Sequence, residues 1–512
     1  MKGVAQAFAP IVIALAGASL LLAFAGGYPL LPFFETSSAV AAKAMSNFGS
    51  FPFVTNGLVH SFEYHPLPIW LQALGIHFFG VNEFAVRMPM IVCSIFMLLS
   101  AYVIGSRHFG ADVGFWWVAC LLSCTFLLPL LKTAEIGFIG AYFAFLAVYR
   151  VSLGAYRSRK TSSFLLAGIF AGLAGLSGGL QFLIFIYAII LLYWVLDRFR
   201  SLTNLSDFLM FITLSLVMVL GYPIFEIITF NDISFSSWIQ TQFQDISFSI
   251  ETIKSVPFIL FVGGFPAVLF IFGAGGIHTR DNVEQRHIKR WLLYVFYFSI
   301  FLIFVSNYFF FTLAISGTFL SAYCMEKFIH RHLVWNRSFT HFVMLIGGML
   351  ATCMFLLGVV GGFGNEVKEN LGIILPNMEM PGWYMFPGIG VGLVVVVSCF
   401  FLYKKNLQAG LSILLLGTIA CNTVFVSSVG VQLANAHTGP IANFCKANPA
   451  ANIIGITLDN NLIQFYQEKK YVKATAFYTI VPLSMAASFA KVSPWYKELF
   501  RDGEYIFFER MK

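Results

Sequence analysis

Three short motifs early in the chain hold side chains that can do chemistry. PFFETSS carries Glu35, SFEYHPLPIW carries Glu63, Tyr64 and His65, and FGVNEFAVRMP carries Glu83 and Arg87. A further pair, Lys132 and Glu135, follows in LKTAEIG. Carboxylates and histidines gathered in one place can move protons. With His60, the second motif also offers ligand types for a divalent metal. The spacing of His60, Glu63 and His65 is not that of one helix face, and Pro66 favours extended chain before it. Each residue also has a purely structural reading. Glu35 can cap a short helix through Met45, and Arg87 can pair with Glu83 one helical turn away. Lys132 and Glu135 can form an interfacial pair at a helix end, and Tyr64 and Trp70 suit a membrane's aromatic belt.

The elements that must position these residues follow from composition. The 512 residues are 59% hydrophobic and only 11% charged, with a mean hydropathy of +0.82. Soluble domains carry about 25% charged residues, so the chain reads as a polytopic membrane protein. The apolar runs are long and lack two-residue alternation, which argues helices and excludes a membrane β-barrel. The net charge of +8 sits in short clusters between apolar runs, as membrane orientation requires, and does not indicate a nucleic-acid partner. The eight cysteines form no disulfide framework: all but Cys445 fall in apolar runs.

About thirteen spans of roughly twenty residues fit the chain, the first an uncleaved helix over 10–30. Others are expected over 86–105, 113–131, 180–196, 256–272 and 386–403. Loops on one side carry basic groups such as Arg157, Arg159 and Lys160, or Arg286, Lys289 and Arg290. Loops on the opposite side carry only Lys43, Arg87, Lys132, Lys254 and Lys368. The basic side is cytoplasmic by the positive-inside rule. The N-terminus is therefore expected in the cytoplasm, and the motif-bearing loop and the C-terminus outside. The expected organisation is a transmembrane domain over 1–433, with its first outer loop at 32–85, and a small extracytoplasmic α/β domain over 434–512. In the latter, strands are expected over 452–458, 471–478 and 504–510, and helices over 459–467, 482–492 and 494–500.

The three motifs, in this order and with these separations, resemble the first outer loop of lipid-linked-sugar glycosyltransferases of GT-C type. That group includes the aminoarabinose transferases acting on lipid A and the protein O-mannosyltransferases. Its bacterial branch runs PDET, then FEKPPLGYW, then FGVNEFAARLP. The resemblance implies an all-α polytopic fold of about thirteen helices with a small outer C-terminal domain. It implies a bacterial inner-membrane location. It also implies transfer of a sugar from a polyprenyl-phosphate donor to a lipid, glycan or protein acceptor on the periplasmic face. On that basis Glu35 and Glu135 are the candidate catalytic carboxylates. Glu63, Tyr64, His65, Arg87 and Lys132 are the candidates for holding donor phosphate or acceptor. Membrane lipids are the remaining partners. No cofactor is assigned beyond a candidate divalent metal at Glu63.

The sequence also departs from that pattern. The first acid of the family's pair is Phe34, the Lys of its second motif is Tyr64, and a Lys after the fifth helix is Gly178. Near Ser306 and Tyr308 no Lys or Arg stands where a cation is expected. A second reading follows, that of a catalytically degenerate relative acting as a lipid-phosphate-binding or scaffolding subunit. A transporter ranks below both, because ionisable residues crowd into loops and not into paired, broken midplane helices.

Overall fold

The computed structural model describes residues 2–23, 25–31, 35–48, 65–156, 161–196, 205–229, 235–243, 256–257, 259–271, 282–306, 308–330, 337–362, 385–449, 451–455, 460–467, 478–493, 495–502 and 505–510. Phe34, His60, Glu63 and Tyr64 lie outside them.

Apolar runs without two-residue alternation fold as helices. The first is α1 (Lys2–Leu22), followed by α2 (Thr36–Phe48) and α3 (Pro66–Phe79) in the expected outer loop. Then come α4 (Glu83–Phe109), α5 (Ala111–Ser123), the single turn α6 (Leu127–Leu130), α7 (Ile136–Tyr156), α8 (Thr161–Gly178), α9 (Leu180–Leu196), α10 (Leu205–Thr229) and α11 (Phe235–Gln242). The bundle continues through α12 (Val268–Ile271), α13 (Val283–Leu302), α14 (Phe309–Ile329), α15 (Arg337–Gly362), α16 (Phe386–Tyr403) and α17 (Leu407–Phe425). Eight helices among the described residues are long and apolar enough to cross a membrane, and shorter apolar helices fall at Phe8–Leu22, Ala111–Ser123 and Leu180–Leu196.

Two expected spans are broken. The helix expected over 113–131 stops at Ser123, and that over 256–272 has a π-turn, Ile259–Gly263, before α12. The breaks meet: Phe126 N–H donates to the Gly263 carbonyl at 3.2 Å, and the Phe126 ring fills the place of a Gly263 Cβ. Irregular backbone at membrane depth survives only where protein buries it or a cavity adjoins it. Both conditions hold, because a cavity of about 350 Å³ lies against the break, lined by Cys124, Gly263, Ile271, Phe296, Phe310 and Thr318 among others.

After α17, a helix α18 (Val431–Ala447) runs through position 434 and leads into a four-stranded sheet. Its strands are β1 (Ile453–Gly455), β2 (Tyr478–Pro482), β3 (Tyr496–Asp502) and β4 (Tyr505–Arg510), in the order β1-β2-β4-β3. Helices α19 (Asn460–Tyr466) and α20 (Leu483–Val492) complete it. The helix expected over 494–500 is instead strand β3. Antiparallel pairing with β4 overrides a weak local preference, and Phe500 stacks on Phe507 with ring centroids 4.5 Å apart.

Candidate active site

Asn82 starts α4 by accepting the Ala85 amide at 2.8 Å, and this cap places Arg87 in the second turn. The guanidinium is fully buried. It makes a bidentate pair with Glu35, Nε to Oε1 at 2.8 Å and Nη2 to Oε2 at 2.6 Å. Its other hydrogens go to backbone carbonyls: Nη1 to Ala25 at 2.8 Å and Tyr28 at 3.0 Å, and Nη2 to Pro29 at 2.9 Å. The Tyr28 ring lies 3.8 Å beneath it. The segment after α1 is thus wrapped around one side chain.

The local pair of Arg87 with Glu83, expected from the spacing, does not form. Glu83 takes Lys446 at 2.6 Å and the Tyr466 hydroxyl at 2.9 Å, both from the C-terminal region. The fork of an Arg matches a carboxylate in a buried pair, and only Glu35 offers one where the backbone carbonyls also converge.

Glu35 precedes α2, the short helix expected through Met45, but its side chain turns away from that helix. Besides Arg87, it accepts the Leu31 amide at 2.9 Å and the Ala134 amide at 2.8 Å. Four donors therefore occupy both oxygens of one buried carboxylate.

The Ala134 amide joins the LKTAEIG stretch to the first motif. Glu135, the next residue, stands just before α7 and accepts the Gly137 amide. Burial, reinforced by the nearby Glu35 charge, pushes its carboxyl up to about 7. Lys132 is almost fully buried and donates to the Ala23 carbonyl at 3.2 Å. Burial pulls its ammonium down to about 8. One neighbourhood therefore holds Glu35, Arg87, Lys132 and Glu135, around Ala23, Ala25 and residues 28–31.

His65 belongs to a different group. It sits at the N-cap of α3, with Pro66 at the first helical position. Its ring lies against Gly179, whose φ of +77° no β-carbon would tolerate well: a Cβ would lie 2.7 Å from His65 Cε1 and 2.5 Å from Gln242 Oε1. Gln242 accepts the Leu180 amide at 3.2 Å. His65, Tyr222, Trp238 and Gln242 line a small cavity here.

Phe182 separates the end of α8 from the start of α7. Its ring fills the place of a Cβ on Gly178, and a Cβ on Gly140 would lie 2.6 Å from it. The Tyr308 ring fills the corresponding place at Gly137. The position where the motif pattern carries a Lys is thus occupied by an aromatic ring. Among the described residues no three His, Cys, Asp or Glu side chains converge to hold a metal.

Sequence reasoning missed Tyr28, Lys446, Tyr466 and Phe182. Tyr28 and Phe182 carry no signal beyond being aromatic near a helix end. Lys446 and Tyr466 lie hundreds of residues from the motifs they serve.

Residues 63–224 match the dolichyl-phosphate-mannose-protein mannosyltransferase family, a segment that holds His65, Arg87, Lys132, Glu135 and Gly178 but not Glu35. No curated protein matches the chain in sequence. In structure, the chain is similar to ArnT from Cupriavidus metallidurans bound to undecaprenyl phosphate, with a TM-score of 0.76, 14% identity and 98% of each chain covered. The apo state of that protein gives a TM-score of 0.75. The archaeal oligosaccharyltransferase AglB from Archaeoglobus fulgidus, in complex with an inhibitory peptide and a dolichol-phosphate, covers 94% of this chain and 70% of its own. It gives a TM-score of 0.54 at 10% identity.

Proposed function

Taking the chain as a membrane protein with the fold of GT-C glycosyltransferases, we propose that it moves a sugar from a polyprenyl-phosphate donor to an acceptor hydroxyl on the periplasmic face. The observation that carries this is the placement of Glu135: a half-buried carboxyl beside the fixed Glu35–Arg87 pair and three residues after a buried lysine.

In the reaction, the acceptor oxygen forms a bond to the anomeric carbon while the bond from that carbon to the phosphate oxygen breaks. The configuration inverts. The hydroxyl proton passes to a Glu135 oxygen, and the electron pair leaves with the polyprenyl phosphate. A base is most effective with a pKa near the working pH, which fits Glu135, whereas the oxygens of Glu35 are already taken by four donors. Lys132 supplies positive charge where negative charge develops, and His65 assists from the mouth of α3. Glu35 and Arg87 are the frame, not the acid–base pair. Glu63 and Tyr64 remain candidates for donor or acceptor binding.

Two further features support the reading. The match to the mannosyltransferase family spans most of these residues, and the apolar cavity at the two helix breaks offers a seat for a prenyl chain. The asymmetry of basic residues between alternate loops supports reading it as a bacterial inner-membrane protein with its N-terminus cytoplasmic and its C-terminal sheet outside.

One observation favours a second reading. The Phe182 ring fills the place of a side chain at Gly178, where the family pattern carries a lysine, which fits a protein that binds lipid phosphate without transferring sugar. Purified protein in lipid nanodiscs, given polyprenyl-phosphate sugars and extracted envelope lipids, separates the two. Turnover lost in Glu135→Gln supports the transferase. Binding of undecaprenyl phosphate with no turnover for any donor supports the binding subunit.

A further inference from the structure

Among the described residues, the C-terminal region makes polar contacts with Leu30 of the wrapped segment, with Glu83 at the start of α4 and with Lys43 of α2. The Tyr466 hydroxyl donates to Glu83 at 2.9 Å and accepts the Leu30 amide at 3.3 Å. Burial and the Glu83 charge raise its phenol pKa, so it stays a donor. Lys446 closes on the same Glu83 oxygen at 2.6 Å and lies 4.9 Å over the Tyr466 ring. From the other side, Lys43 of α2 donates to the carbonyls of Gln464, Phe465 and Gln467, capping the C-terminal end of α19.

These contacts converge on two short levers. Glu83 lies one helical turn before Arg87 on α4. Leu30 adjoins Leu31, whose amide binds Glu35, and Pro29, whose carbonyl binds Arg87. Glu35 in turn binds the amide of Ala134, next to Glu135.

We propose that Tyr466 and Lys446 are positioning residues: Tyr466 fastens Leu30 to Glu83, Lys446 holds the same Glu83, and together they keep the Glu35–Arg87 pair in place beside Glu135. The C-terminal region is then part of the site's frame, not a passive cap. Glu135's part in transfer rests on the proposed function, but the positioning does not, and it can be read without turnover. Glu35, with Arg87 on it, and Lys132 are the charged groups of this neighbourhood. Loosening the frame admits water and moves the Glu35 charge away. Both changes lower the pH at which Glu135 ionises.

Dicyclohexylcarbodiimide modifies protonated buried carboxyls. The full-length protein in detergent is labelled across a pH series, and the Glu135 peptide is quantified by mass spectrometry. In the unaltered protein the labelling midpoint is expected near 7. Tyr466→Phe and Lys446→Gln are each expected to lower it by roughly half a unit to one unit. Glu498→Gln, which breaks an exposed ion pair with Arg501 on β3, leaves it unchanged. An unchanged midpoint in both Tyr466→Phe and Lys446→Gln overturns the proposal, whatever happens to the melting temperature. If Tyr466→Phe fails to fold, Lys446→Gln decides alone, because its side chain is half exposed. An unaltered protein that transfers no sugar defeats the proposed function and leaves this result standing.

Discussion

Arg87 is bound to Glu35, 52 residues earlier in the chain, while Glu83, one turn away on the same helix, is bound elsewhere. Both partners are fully buried. A buried pair is costly to break from one side, because the remaining charge keeps its desolvation penalty without its partner. Arg87→Met is therefore expected to lower stability by about 3–5 kcal/mol. Arg87→Lys keeps the charge but cannot reproduce the fork or reach the three carbonyls, and should still lower the melting temperature in detergent. A melting temperature unchanged by Arg87→Lys contradicts a framing role for the pair.

The pH dependence of transfer follows from Glu135 and Lys132. A base must be ionised, so the rate rises as pH climbs through about 7. A phosphate-holding cation must stay protonated, so the rate falls above about 8. The result is a narrow bell. Lys132→Arg keeps its charge at all accessible pH and should remove the alkaline limb. A Lys132→Arg profile that keeps this limb takes the phosphate role away from Lys132.

Phe182 and Gly178 form a complementary pair, with the ring where a side chain would stand. Gly178→Lys alone forces a fully buried ring to move and should cost about 1–3 kcal/mol. Combined with Phe182→Ala, the lysine gains space and the cost should fall below the sum of the two single changes. Additive losses in melting temperature show that the two positions do not share the space.

Much of the bundle was legible in the sequence, because apolar runs bounded by Gly or Lys report their own ends. The helices Leu180–Leu196 and Phe386–Tyr403 fall where the runs place them. The breaks at Cys124 and Gly263 were read through. The first run carries Ser123, Thr125 and Pro129, and the second Gly263, Gly264 and Pro266, breaking signals that the apolar length of each run outweighed; the two breaks meet through the Phe126 amide and the Gly263 carbonyl. The residue types of the site were visible, but their pairings were not. Spacing along one helix proposes Glu83 for Arg87, while the observed partner is fixed by where the chain after α1 folds back. The stretch 494–500 reads locally as helix, and pairing with Tyr505–Arg510 makes Tyr496–Asp502 a strand.

The cavity at the two helix breaks tests whether a prenyl chain enters there. Ala314 and Gly317 line it from α14, and Phe296 and Ile271 face them from neighbouring helices. A Cβ on Gly317 would already lie 3.2 Å from both Ile271 and Phe296, so that position tolerates no bulk. Ala314 is partly exposed to the cavity and can be enlarged with less strain. Ala314→Trp should fill much of the space and weaken undecaprenyl phosphate binding at least about tenfold, a change of about 1.4 kcal/mol. Native mass spectrometry of the detergent-solubilised protein, titrated with undecaprenyl phosphate, reads that change directly. A short-chain prenyl phosphate, which makes fewer contacts with the cavity wall, should show a smaller loss. Equal binding of the long-chain lipid before and after the substitution moves its tail out of this cavity. The phosphate end then has to be placed from Lys132 and His65 alone.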